Sequence, residues 1–239
     1  MKMKPEGKGG YWKLIIAGGG VAALLAVTLF LPPSIFRFRE VVILGKPARL
    51  SELDLVKRMG VERGSSLLTL RLAPIRENLL KFPWIDQVTL AKAYPGRLIV
   101  SLREQEPVVL VERGGLYLVN RRGELFKKVA SGDPRDFPVV TGWRDPQRDL
   151  LLSFIRIAES FQERELLRTV GLSEIHWDEK QGATLYTMRP VIKVALGQKE
   201  WERRLEKLEQ ILPEVGRDKG RPLSIDLTYA KRVFVKTQS

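Results

Sequence analysis

The sequence predicts an α+β protein in which one N-terminal membrane helix carries two small folded domains. Three observations lead there. Residues 14–31, LIIAGGGVAALLAVTLFL, form an uncharged run that approaches the thickness of a bilayer. Downstream, short stretches alternate apolar and polar residues with period two, cut by Gly and Pro, while other stretches repeat apolar residues with the period of a helix. A polar break at Gln105-Glu106-Pro107 divides these patterns into two sets. The expected organisation is a tail over 1–13, a membrane helix over 14–33, a first domain over 36–106 and a second over 107–239.

The run over 14–31 would make a helix about 27 Å long at ~1.5 Å per residue, against a hydrocarbon core of ~30 Å. Tyr11 and Trp12 stand before it, and Phe30 and Phe36 lie at the other end, as an aromatic belt would. A cleaved leader has a shorter apolar region and a small-residue cleavage site. This run ends instead in Leu31-Pro32-Pro33-Ser34, so it reads as an uncleaved anchor. Both flanks are basic, and length decides the orientation: a long C-terminal part translocates largely regardless of charge, while the short tail with Lys2, Lys4, Lys8 and Lys13 stays inside. Gly18, Ala22 and Ala26 share one helical face on which another membrane helix could pack closely.

The first domain reads strand, helix, helix, strand, strand. Residues 37–44 are β-branched and aromatic and stop at Gly45-Lys46-Pro47. Ser51, with Asp54 three residues on, is an N-cap signal for a helix to about Met59. Pro74 suits the first turn of a second helix that ends before Pro83. Val88, Leu90 and Ala93, a Pro95-Gly96 turn, then Leu98, Val100 and Leu102 make a hairpin. In the second domain, short strands are expected over 108–111, 116–119 and 124–127, then 174–177, 184–187 and 191–196. Helices over 150–161 and 200–215 line up Leu151, Phe154, Ile155, Ala158 and Phe161, and Trp201, Leu205, Leu208, Leu212 and Val215. Strands over 223–229 and 232–235 close the chain. The expectation is a mixed β domain with flanking helices.

Composition excludes several functions. The absence of cysteine removes disulfides, thiolate zinc sites, iron–sulfur clusters and a cysteine nucleophile, and His176 is the single histidine. The net charge of +13 is spread, with 13 basic and 8 acidic residues over 34–108 and 24 and 19 over 109–239. No block concentrates it as a nucleic-acid reader would. A basic surface beside a membrane suits anionic lipid or anionic wall polymer better. Walker and G-x-S-x-G patterns are absent. Pro83-Trp84 reads as core packing, His176 as a structural histidine, and Asp178-Glu179 and Glu104/Glu106 as solvated charge. No catalytic residue, metal, cofactor, small-molecule substrate or nucleic acid is expected.

The order of motifs resembles the FtsQ/DivIB family of bacterial division proteins. The stretches that carry the resemblance are VVILG (41–45), GSSLL (64–68), LLKFPWI (79–85), AYPGRL (93–98), REQEPV (103–108), YLVN (117–120), RGELF (122–126) and IDLTY (225–229). Thr228 stands where the family usually has arginine, and Asn120 where aspartate is common. The resemblance covers nearly the whole chain. It implies a short cytoplasmic tail, one membrane helix, a POTRA domain and a terminal β domain in a non-catalytic scaffold of the septum. It also implies FtsB-like and FtsL-like single-pass partners, control of septal peptidoglycan synthesis, and strand addition at an edge formed by Ser224, Ile225, Asp226, Leu227, Tyr229, Arg232, Val233, Phe234 and Val235. The runner-up is a POTRA-bearing adaptor in polypeptide transport or outer-membrane assembly, which would normally carry repeated units or a barrel.

The residues themselves suit the last ribbon to strand addition. Ile225 and Leu227 alternate with Ser224, Asp226 and Thr228, and little sequence follows 233–235 to cover an edge. Read the other way, Lys231, Arg232 and Lys236 are gatekeepers against pairing, and the sequence does not choose.

Overall fold

The computed structural model describes residues 33–45, 47–215, 222–229 and 232–237. The run over 14–31, with Gly18, Ala22 and Ala26, lies outside them. Among the described residues no helix is long and apolar enough to cross a membrane. The chain divides into two compact units between Arg103 and Glu104.

In the first unit a short 3-10 turn, Pro33–Phe36, leads to β1 (Glu40–Leu44), α1 (Glu52–Met59), α2 (Leu72–Leu80), β2 (Ile85–Ala93) and β3 (Arg97–Glu104). The Ser51 hydroxyl accepts from the Asp54 amide at 3.1 Å and starts α1, and Gly60 closes it in the left-handed region. Strand order is β1-β3-β2, with β1 parallel to β3. Leu55 and Met59 of α1 and Ile75 and Leu79 of α2 bury against Ile85, Val88, Leu98 and Val100 of the sheet. Trp84 joins the buried residues beneath the Arg49 guanidinium, 3.7 Å from its ring centroid.

The first strand is shorter than the expected 37–44. Phe38 pairs its backbone with the 64–65 loop, donating to Ser65 O at 2.8 Å and accepting from Gly64 N at 2.9 Å. That loop takes Arg37 and Phe38 away from the sheet, and β1 begins only where the Gly96 carbonyl receives Arg39 N. Gly96 sits at φ 72°, and a Cβ there would come within 2.9 Å of the Arg37 carbonyl, so the turn requires glycine.

The second unit holds β4 (Pro107–Glu112), β5 (Leu116–Asn120), β6 (Leu125–Lys128), β7 (Val139–Thr141), α3 (Arg148–Glu163), α4 (Glu165–Val170), β8 (Leu172–Asp178), β9 (Gly182–Thr187), β10 (Lys193–Gly197), α5 (Trp201–Val215), β11 (Pro222–Asp226) and β12 (Phe234–Thr237). The strands form one mixed sheet ordered β12-β11-β10-β9-β8-β7-β4-β5-β6. Two elements were not expected. The three-residue β7 lies between β4 and β8, parallel to both, and α4 follows α3 after one residue. One sheet face carries Val109, Val119, Val140, Ile175, Leu185, Val194 and Ile225, and these pack with Phe154, Phe161, Leu205 and Leu208 in the main core.

Asn120 is buried at the end of β5 and satisfies its whole amide. Its Nδ2 donates to Gln105 Oε1 (2.9 Å) and Glu124 Oε2 (2.7 Å), and its Oδ1 accepts from the amides of Arg122 (2.9 Å) and Glu124 (3.1 Å). A carboxylate here would lose both donations and face that of Glu124. Asn120→Asp is therefore expected to destabilise the second unit by about 1–3 kcal/mol at neutral pH, checked by urea unfolding. An unchanged midpoint would mean that the network contributes nothing.

Candidate functional site

The ribbon at the chain's end begins with β10, which lies parallel to β11 in the register Lys193↔Ser224, Val194↔Ile225 and Ala195↔Asp226. Strand β12 returns antiparallel, with Ile225 opposite Val235 and Asp226 opposite Phe234. Because opposite residues share a face, Val235 follows Ile225 to the core side and Phe234 follows Asp226 to the other side. Among the described residues β12 has a strand on one flank only, so it is one of the two outer strands of the sheet, β6 being the other.

The expected edge residues divide by what they face. Ile225 and Leu227 are buried in the core, and Val233 packs partly against it, so these three hold the ribbon on the unit. Ser224 is half-buried opposite Lys236. Asp226 turns back on the chain: its Oδ1 accepts from Thr228 N (2.9 Å) and Thr228 Oγ1 (2.6 Å). That local turn ends β11 at Asp226, three residues before the expected limit, although Leu227 N still donates to Ala195 O at 3.0 Å. Tyr229, Phe234 and Val235 remain 56%, 53% and 38% exposed, and Arg232 is exposed beside them. The Tyr229 and Phe234 rings meet edge to face, with centroids 5.1 Å apart and planes at 71°.

Arg204, on α5, was not singled out by sequence. Its guanidinium donates to the Leu196 carbonyl and, at 3.2 Å, to the Thr228 carbonyl. It thereby ties the end of β10 to the bend that carries Tyr229. A lone arginine on a charged helix face carries no pattern that would have marked it. Thr228 supplies the backbone carbonyl for this tie, and its hydroxyl serves the Asp226 turn.

The other candidates lie elsewhere. His176 Nδ1 is 2.7 Å from Thr141 Oγ1, whose hydroxyl also lies 2.5 Å from Glu174 Oε1, on the sheet face opposite the helices. Asp178 accepts from the amides of Gln181 and Lys180 at 2.8 Å each. Those two bonds, the Gln181 one first, hold its carboxyl below the usual range, with His176 and Lys180 adding attraction. Both groups are thus taken up in local structure. Among the described residues no three His, Cys, Asp or Glu side chains gather as a metal site would need.

Comparison with known proteins adds the lineage of both units. Residues 36–105 match the model of the POTRA domain, FtsQ-type, and residues 108–228 that of the cell division protein FtsQ/DivIB, C-terminal. The second match stops before β12, so the outer strand is characterised by its geometry alone. Among similar proteins, cell division protein FtsQ of Anaeromyxobacter sp. (strain K) is 31% identical over 227 residues, 92% of this chain and 76% of that one. The FtsQ of Geotalea daltonii is 29% identical over 228 residues, 92% and 81% of the two chains. That of Geobacter sp. (strain M21) is 27% identical over 244 residues, 99% and 88%.

Proposed function

This chain belongs to the FtsQ/DivIB family of cell division proteins, and from that premise we propose that it is a non-catalytic scaffold of the division machinery which captures FtsB-like and FtsL-like single-pass partners on β12. The observation that carries the proposal is an outer strand that, among the described residues, has no strand on one flank, together with an exposed aromatic pair formed by Phe234 on that strand and Tyr229 in the bend after β11. An outer strand supplies unpaired amides and carbonyls, and the adjoining rings supply area to desolvate. In this reading residues 14–31 cross the cytoplasmic membrane once, the tail over 1–13 stays cytoplasmic, and domains over 36–106 and 107–239 work outside at the septum. Captured partners then link early and late division proteins and regulate the septal peptidoglycan synthase.

Magnitudes say how capture must work. An added strand of five residues makes about five hydrogen bonds at ~0.5–1.5 kcal/mol each. Free association costs about 4–15 kcal/mol, which over most of that range cancels a ladder of about 2.5–7.5 kcal/mol. Covering the exposed parts of Tyr229 and Phe234 adds about 1–3 kcal/mol for each ring. Tethering both proteins to one membrane turns the remaining cost into an effective concentration. The lysines and arginine around β12 then disfavour random pairing while a complementary partner tolerates them.

Depleting the protein in the bacterium that encodes it tests the reading. Smooth filaments without septa, rescued by the intact gene, are expected. Cells that divide normally through depletion would refute a role in division.

A further inference from the structure

We propose that one end of the first unit, built around Phe36, Leu68 and Tyr94, rests on the anionic headgroup surface of the bilayer. This deepens the reading above and depends on residues 14–31 spanning the membrane.

Three segments converge on this end. The Phe36 carbonyl accepts from Leu67 N at 2.7 Å, the Lys92 ammonium donates to Leu68 O at 3.1 Å, and the Gly96 carbonyl accepts from Arg39 N at 2.8 Å. The Phe36 ring meets the Tyr94 ring at 5.6 Å with planes at 75°. Tyr94 is 47% exposed and Leu68 58%; Leu44, Leu53, Val56 and Leu80 of the same unit are exposed too, but none of them belongs to these three segments. The three segments, 36–40, 62–69 and 92–97, carry five cations, Arg37, Arg39, Arg63, Lys92 and Arg97, against two carboxylates, Glu40 and Glu62. Glu40 is paired with Arg97 at 2.8 Å.

Chain length selects the occupant. Phe36 lies five residues after Leu31, the last of the uncharged run. Five residues reach at most about 17 Å even when fully extended, so this end stays beside the headgroup layer wherever the run enters the bilayer. A tyrosine with one wet and one apolar end, a leucine and an excess of cations are what an anionic interface rewards: amphipathic rings settle at headgroup level, and each nearby cation adds about 1 kcal/mol. Such a contact would set the tilt of the first unit against the membrane.

The full chain lacks cysteine, so single labels report cleanly. Thr69→Cys places a fluorophore beside Leu68. Leu53→Cys places one on the exposed side of the first turn of α1, at the far end of β1. Each protein is put into lipid nanodiscs of phosphatidylcholine, with or without phosphatidylglycerol, containing headgroup spin-labelled lipid. Stronger quenching at 69 than at 53 is expected in phosphatidylglycerol discs. That excess should be lost in phosphatidylcholine and in the Tyr94→Ser and Arg37→Glu/Arg63→Glu variants, with unchanged circular dichroism. Equal quenching at 69 and 53 would overturn the proposal, as would shielding of 69 that appears only when wall polymer or a partner protein is added. A chain that fails to co-elute with the discs would refute the spanning reading first, and that failure is visible before any quenching is measured.

Discussion

Phe154→Ala is expected to destabilise the second unit by about 3–5 kcal/mol, the range for removing a fully buried aromatic ring. Phe154 lies on the buried face of α3 with no exposed surface. Its ring is 5.8 Å from that of Trp177 on β8 and 5.9 Å from that of Trp201 on α5, and those two stand edge to face at 6.3 Å. One side chain thus joins a helix, the sheet and a second helix. Truncation removes its transfer free energy and leaves a cavity that two indoles cannot easily fill. Trp201 is fixed by its Nε1 bond to the Gly197 carbonyl at 2.7 Å. Trp177 belongs to a strand held on both flanks. Phe154→Leu keeps most of the volume and should lose distinctly less. Urea unfolding followed by tryptophan fluorescence reads both, since two reporters line the site. A loss below about 1 kcal/mol for the alanine variant would show that the site collapses, contrary to close packing.

What could be read from the sequence was local. Ser51 and Asp54 announce α1 because a cap needs only neighbours, and Leu98, Val100 and Leu102 announce β3 because alternation is a property of one strand. Trp201, Leu205 and Leu208 mark the buried stripe of α5 for the same reason. What could not be read depends on distant chain. Val139–Thr141 is a strand only because β4 and β8 flank it on both sides. The six residues of α4, ELLRTV, include two charged residues and bury only Leu167, which is too little pattern to announce a helix. Arg37 and Phe38 look like strand and are captured by the 64–65 loop instead. At the candidate site the edge residues were nameable and the inward side of the ribbon was visible in its alternation. The outermost place of β12 was not, because strand order is set by pairings across the whole unit. The support from Arg204 was hidden for the same reason.

Phe234→Asp is expected to weaken partner capture at least about thirtyfold, the loss that marks a central aromatic anchor, while the second unit stays folded. The ring is more than half exposed, so little folding energy rides on it, and exposed substitutions usually stay within about 0.5 kcal/mol. The aspartate does carry a confounding term. It stands opposite Asp226, and like charges across a strand pair destabilise by roughly 0.2–1 kcal/mol. Phe234→Ser removes the ring without that repulsion and leaves the backbone flank of β12 intact. If the ladder alone held the partner, the serine variant would bind like the wild type and only the aspartate would fail. If the rings supply the surplus that the ladder cannot, both variants lose capture, and Tyr229→Ala loses part of it because it strips the support on which Phe234 leans. Co-purification of the full chain with the proposed FtsB-like partner from membranes, alongside the melting curve of each variant, separates these outcomes. Wild-type capture by both Phe234 variants would place the binding surface somewhere other than this ribbon.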